Sequence, residues 1–115
     1  MLGIIGAMDE EVAMIKAQLT DVQVETRAAM DFYKGKLEGK EVVVVRSGIG
    51  KVNAAVCTQI LADIYGVTGV VNTGIAGSLK AEIDIGDIVL SSDALQHDMD
   101  ATGFGYEPGQ IPRVE

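Results

Sequence analysis

The sequence predicts an α/β fold built on a central, largely parallel sheet, and three observations carry that expectation. Two short runs, residues 2–6 and 42–45, are apolar without alternation, the pattern of strands covered on both faces. Two longer segments repeat apolar residues at helical spacing: Val12, Ile15 and Leu19, then Val52, Val56, Ile60 and Ile64. Glycine is abundant, 14 of 115 residues against a usual share of about 7%, and it clusters where strands are expected to stop.

Taken in order, residues 2–6 read as the first strand and residues 10–19 as the first helix. Three strands are expected next, near residues 22–28, 32–37 and 41–46, with Gly39-Lys40 as the hairpin turn between the last two. The run Val42 to Val45 places the last of these centrally in the sheet. A second helix is expected over residues 51–65, with its apolar row running from Val52 to Ile64 and Gly66 ending it. Residues 69–72 and 87–90 read as two further buried strands. Beyond Ser92 the chain turns polar and rich in Gly and Pro. About six strands against two helices is an uneven count, because both faces of a parallel sheet need helical cover. The sequence therefore reads as part of one larger domain, and no repeat or linker divides it.

The charge balance excludes several functions. Nine basic residues against 17 acidic ones give a net charge of −8, which leaves no basic footprint for nucleic acid. No apolar run approaches the roughly 20 residues of a membrane span. Asp9, Glu10 and Glu11 follow the first apolar run at once, which argues against a signal peptide. The single cysteine, Cys57, cannot form an internal disulfide, so a cytoplasmic location is expected. Beside Val56, it reads as a small buried hydrophobe and not as a nucleophile.

Three glycine-rich loops are expected at strand ends: residues 6–11, 47–51 and 72–78. Ligands of open α/β sheets bind outside the carboxyl ends of the strands, and glycine lets backbone approach them closely. One such loop alone is explained by tight turning; three on one sheet edge point to a pocket. Neither familiar phosphate pattern is met. Lys51 is followed by Val52 and not by Ser or Thr, and Asn53 stands where a dinucleotide fingerprint needs its third glycine. For Asp9 and Glu10 we prefer the reading that first-turn carboxylates complement the helix dipole. For Glu11 two readings stand side by side: the same dipole role, or a general base projecting into the cleft. With no cation expected nearby, the acidic loop argues against phosphate there.

These residues resemble the 5′-methylthioadenosine/S-adenosylhomocysteine nucleosidases, within the wider purine nucleoside phosphorylase family. The matching stretches are Gly-Ile-Ile-Gly-Ala-Met-Asp-Glu-Glu (3–11), Ser-Gly-Ile-Gly-Lys-Val (47–52), Asn-Thr-Gly-Ile-Ala-Gly-Ser (72–78), Gly-Asp-Ile-Val (86–89) and His-Asp-Met-Asp-Ala-Thr-Gly-Phe-Gly-Tyr (97–106). The resemblance implies a nucleoside phosphorylase-like three-layer α/β fold with a mixed central sheet, of which residues 1–115 form the N-terminal half. It implies hydrolysis of an adenine–ribose N-glycosidic bond, with no metal and no organic cofactor. The transition state would resemble an oxocarbenium ion. By resemblance, Glu11 activates the attacking water. Ala7, Met8 and Ile49 line the ribose and thioalkyl region, and Ala76 and Gly77 lie beside the purine. Phe104 and Pro112 would reach over the neighbouring subunit's pocket in a homodimer.

Two departures from the family pattern stand out. The family commonly has Ser where this chain has Ile75, and isoleucine cannot make that residue's hydrogen bond to the water. The family's catalytic Asp and its ribose-binding Met-Glu pair belong to the C-terminal half, so residues 1–115 alone are expected to be inactive. The alternatives are a purine nucleoside phosphorylase and a non-catalytic nucleoside-binding or structural half-domain. His97, Asp98 and Asp100 read as loop structure and not as a metal site. Tyr106 has no assigned role beyond that loop. Lys51, poorly placed for a helix dipole, hints faintly at a ligand or carboxylate partner.

Overall fold

In the computed structural model, which describes residues 1–114, the order of elements follows the α/β expectation. Strand β1 (Leu2–Gly6) leads to helix α1 (Asp9–Ala17). Strands β2 (Thr20–Arg27), β3 (Met30–Leu37) and β4 (Lys40–Arg46) follow, then helix α2 (Lys51–Asp63) and strand β5 (Gly69–Asn72). These elements form one compact unit, Met1–Gly77, and a second unit begins at Ser78.

The sheet has five strands in the order β2-β3-β4-β1-β5. β1 runs parallel to both β4 and β5, whereas β2, β3 and β4 are joined antiparallel. The sheet is therefore mixed, and β4 sits at its centre as the Val42–Val45 run predicts. Side-chain alternation along β4 feeds two cores. Val43 and Val45 join Ile5, Met30, Phe32, Cys57 and Leu61 on the α2 face, while Val42 and Val44 join Ile4 and Val12 on the α1 face. Each helix thus covers one face of the sheet, giving three layers.

The antiparallel half is set by its turns. Ala28-Ala29 and Glu38-Gly39 both have positive φ at each central residue (50° and 60°; 48° and 79°). That is the two-residue hairpin geometry whose twist suits flanking strands. The second turn thus lies one residue before the expected Gly39-Lys40, and it pairs Leu37 with Lys40. β2 is exposed along its whole length. It blunts the open edge with Asp21, Glu25 and Arg27 and with an irregularity between Thr20 and Gln23.

Four element expectations need correction. α1 ends at Ala17 and not at Leu19: Gln18 N–H donates to the Ile15 carbonyl and Leu19 N–H to the Lys16 carbonyl; Leu19 still packs against the α1-face core. α2 ends at Asp63, and the row from Val52 to Ile64 is not its buried face. The buried pair is Cys57 and Leu61, one position further round, while Val52 is 78% exposed. A spacing of four describes several rows of one helix, and the sheet selects the row that meets Ile5 and Val43. β5 forms as expected, but Val70 and Val71 are exposed, because among the described residues β5 is the last strand of the sheet and lies beyond the cores that α1 and α2 cover. Residues 87–90 form no strand: Ile88, Val89 and Leu90 are exposed and pair with no ladder. A strand exists only through pairing, and no other strand forms among the described residues of the second unit. Among the described residues, no helix is long and apolar enough to cross a membrane.

Candidate active site

Because β4, β1 and β5 are parallel neighbours, their carboxyl ends share one edge, and the three glycine loops leave from it. Backbone bonds tie them together. Ser47 N–H donates to the Gly6 carbonyl at 2.9 Å, and Thr73 N–H donates to the Ile5 carbonyl at 2.8 Å. In the second loop Gly48 and Gly50 have φ of 84° and 102°, a backbone that L side chains rarely adopt. Asn53, where a dinucleotide fingerprint would need glycine, closes this loop: its side-chain amide donates to the Ile49 carbonyl at 2.8 Å.

Glu11 sits at the meeting point. As the third residue of α1 it is half-buried, and Oε2 accepts from the N–H groups of Ala7 (2.7 Å) and Met8 (3.0 Å). The bond from Met8, the N-cap residue, is the reciprocal half of a capping box. The helix-start reading of Glu11 is therefore realised, but on one oxygen. Oε1 accepts no hydrogen bond among the described residues and faces the third loop, where the Gly74 backbone lies against the carboxylate. The arrangement presents one pinned and one open carboxylate oxygen at the sheet edge, the geometry a general base needs.

Asp9 and Glu10 are exposed in the first turn of α1, as the dipole reading expects. The expectation that no cation lies near this loop is wrong. Asp9 pairs with Arg46 at the end of β4 (3.4 Å) and with Lys16 (3.7 Å). Arg46 reaches the loop because it follows the four buried valines of β4, in register with Gly6. Lys16 also lies 4.8 Å from the centre of the Tyr33 ring.

Of the sequence-predicted site residues, Ala7, Met8 and Glu11 are joined directly by hydrogen bonds. Ile49 stands 74% exposed on the second loop, and Ile75, 89% exposed, leads into Ala76 and Gly77 on the third. Phe104 and Pro112 belong to the second unit. Phe104 ends a short 3-10 turn, Thr102–Phe104, and is 89% exposed. That turn is held by Asp100, whose carboxylate accepts from the Thr102 hydroxyl (2.6 Å) and N–H (3.0 Å). Those bonds, the hydroxyl first, draw the Asp100 carboxyl below its usual range. Among the described residues, no group of three or more His, Cys, Asp or Glu is placed to hold a metal ion. Cys57 is fully buried, and desolvation pushes its thiol up to about 11, which suits a packing residue.

Two residues escaped the sequence reading. Arg46 gave no signal because its partner lies across the sheet. Gly74 stood inside a quoted motif, but only the fold brings it against Glu11.

The same loops recur in known proteins. A family model described as the Phosphorylase superfamily matches residues 1–115. The chain belongs to the Phosphorylase superfamily. Within this superfamily it is 52% identical over 114 residues to a 5′-methylthioadenosine/S-adenosylhomocysteine nucleosidase of Marinomonas sp., covering 99% of this chain and 49% of that protein. A solved nucleosidase of the same name from Colwellia psychrerythraea, in complex with adenine, has a TM-score of 0.90 at 53% identity, over 96% of this chain and 46% of that one. A futalosine hydrolase of Helicobacter pylori is also similar, with a TM-score of 0.88 at 33% identity, over 98% and 49% of the two chains. The chain spans about half the length of the curated relatives it matches.

Proposed function

We propose that the protein carrying this chain hydrolyses the N-glycosidic bond of 5′-methylthioadenosine and S-adenosylhomocysteine, releasing adenine. The observation that carries this reading is the Glu11 carboxylate, fixed through Oε2 where three loops meet, with Oε1 accepting no hydrogen bond among the described residues. Oε1 takes a proton from water as the water attacks the anomeric carbon, and the bond to adenine breaks as that carbon becomes cationic. Negative charge at Glu11 also favours the oxocarbenium-like transition state. Ala7, Met8 and Ile49 bound the ribose and thioalkyl region, and Ile75, Ala76 and Gly77 run beside the purine and the water. By the family resemblance, an aspartate of the C-terminal half protonates the leaving adenine.

Support for this substrate class over futalosine comes from identity, 52–53% to the Marinomonas and Colwellia nucleosidases against 33% to the futalosine hydrolase. We also propose that residues 1–115 are the N-terminal portion of a single nucleoside phosphorylase-like domain, that the protein is a cytoplasmic homodimer, and that Phe104 and Pro112 cover the partner's pocket. The exposure of Phe104 supports that last role. The test is adenine release from methylthioadenosine by the protein as its gene encodes it, with and without inorganic phosphate. Phosphate-independent release with free methylthioribose is expected. Strict phosphate dependence, yielding a sugar 1-phosphate, would establish the phosphorylase alternative, and no release from either thionucleoside would leave the non-catalytic one.

A further inference from the structure

Gly74 lies so close to the carboxylate on which the proposed reaction depends that a side chain there would overlap it. A Cβ placed on it would lie 2.5 Å from Glu11 Oε1, 2.8 Å from Cδ and 3.2 Å from Oε2. The first two distances are shorter than any real side-chain contact. Withdrawal of the carboxylate would break the bonds that position it. Oε2 is held by the Ala7 and Met8 N–H groups. Behind it lies Gly6, whose own added Cβ would come within 3.0 Å of Glu11 Cβ and 3.5 Å of Oε2. On the loop side, Thr73, one residue before Gly74, is anchored to the Ile5 carbonyl at 2.8 Å. The carboxylate therefore occupies a slot bounded by two backbone segments, at Gly6 and at Gly74, neither of which leaves space for a side chain.

We propose that Gly74 is a positioning residue for the Glu11 carboxylate: the side chain it lacks lets the third loop close against Glu11 and sets where Oε1 stands. This inference rests on the reading of Glu11 as the base of a nucleosidase. A methyl group at position 74 drives the carboxylate out of its slot while the rest of the pocket stays in place. Misplacement of a reacting group by about 1 Å costs about 100-fold in rate, so the loss falls on kcat and leaves KM little changed.

The experiment is a double-mutant cycle in the intact protein, reading adenine release from methylthioadenosine and the thermal midpoint Tm. The variants are Gly74→Ala, Glu11→Ala and the pair together. Gly74→Ala is expected to lower kcat about 100-fold in the wild-type background and to have no further effect on the residual rate of Glu11→Ala. It is also expected to lower Tm less in the Glu11→Ala background, where the clash is gone. Any backbone strain at the Gly74 φ of 158° is common to both backgrounds, so the difference isolates the contact. Wild-type turnover in Gly74→Ala, or equal losses in both backgrounds, overturns the inference alone. Should Glu11→Ala have no measurable rate, equal Tm losses in both backgrounds overturn it. No adenine release from the wild-type protein overturns the functional reading and this inference together.

Discussion

Replacing Glu11 by Gln keeps the length of the side chain and an oxygen that can accept from Ala7 and Met8, while removing the charge and the basic second oxygen. Both hydrogen bonds, at 2.7 and 3.0 Å, fall on Oε2, so the amide oxygen of Gln takes the same place. A charged acceptor is worth about 1.5–3 kcal/mol per bond and a neutral one about 0.5–1.5. The exchange should therefore cost about 2–3 kcal/mol of folding stability over the two bonds, and less because Glu11 is only half-buried. Loss of a general base is larger, about 10²–10⁴-fold in rate, or roughly 3–5 kcal/mol in the barrier. The assay pairs steady-state kcat and KM for adenine release with denaturant unfolding of the same preparation. A strong fall in kcat, a small change in KM and a modest loss of stability are expected. Turnover within a few-fold of wild type in a folded Glu11→Gln protein would reduce Glu11 to a helix cap and refute the base assignment.

Other substitutions probe the scaffold and the departure at position 75. Leu61→Ala removes a fully buried side chain from the α2-face core and should cost about 2–5 kcal/mol, read as a lower denaturant midpoint; a loss under about 1 kcal/mol would contradict that packing. Burial raises the Cys57 thiol from 9.0 to about 11, so folding favours the neutral form. Its contribution to stability is complete below pH 9.0 and is lost as pH rises through about 11. Unfolding curves below and within that window should show the decline, and Cys57→Ala should flatten it. Ile75→Ser places a hydroxyl on an exposed loop position and should raise kcat by several-fold, about the worth of one neutral hydrogen bond, with Tm unchanged. An unchanged kcat would remove position 75 from contact with the water.

The parts legible in the sequence were those that local pattern encodes. The unbroken apolar runs located β1 and β4, and the glycine clusters located three loops at what became one sheet edge. For Glu11 the helix-dipole and general-base readings stood side by side, and only the family resemblance favoured the second. Contacts between distant segments were not legible. The register of β1 on β4 puts Arg46 beside Asp9, and the β1–β5 ladder sets Gly74 against Glu11, yet neither pair shares a local pattern. The α2 face was misread because Val52 and Val56 are as apolar as Cys57 and Leu61, and only the sheet distinguishes the two rows. Residues 87–90 carry strand composition, but pairing decides whether a strand forms.

The division of the sheet into an antiparallel and a parallel half has a kinetic consequence. β2, β3 and β4 are linked by two-residue turns, so their ladders close small loops. Pairing Leu2 with Val42, and Leu2 with Gly69, joins segments far apart in the chain. Such closures cost more entropy and come late in folding. The four residues of β5 hold the loop that lies against Glu11. That slot is thus assembled after the meander. Amide protons of Val70 to Thr73 should gain protection later in refolding than those of Val43 to Val45, as pulsed hydrogen exchange would show; equal rates would contradict that order.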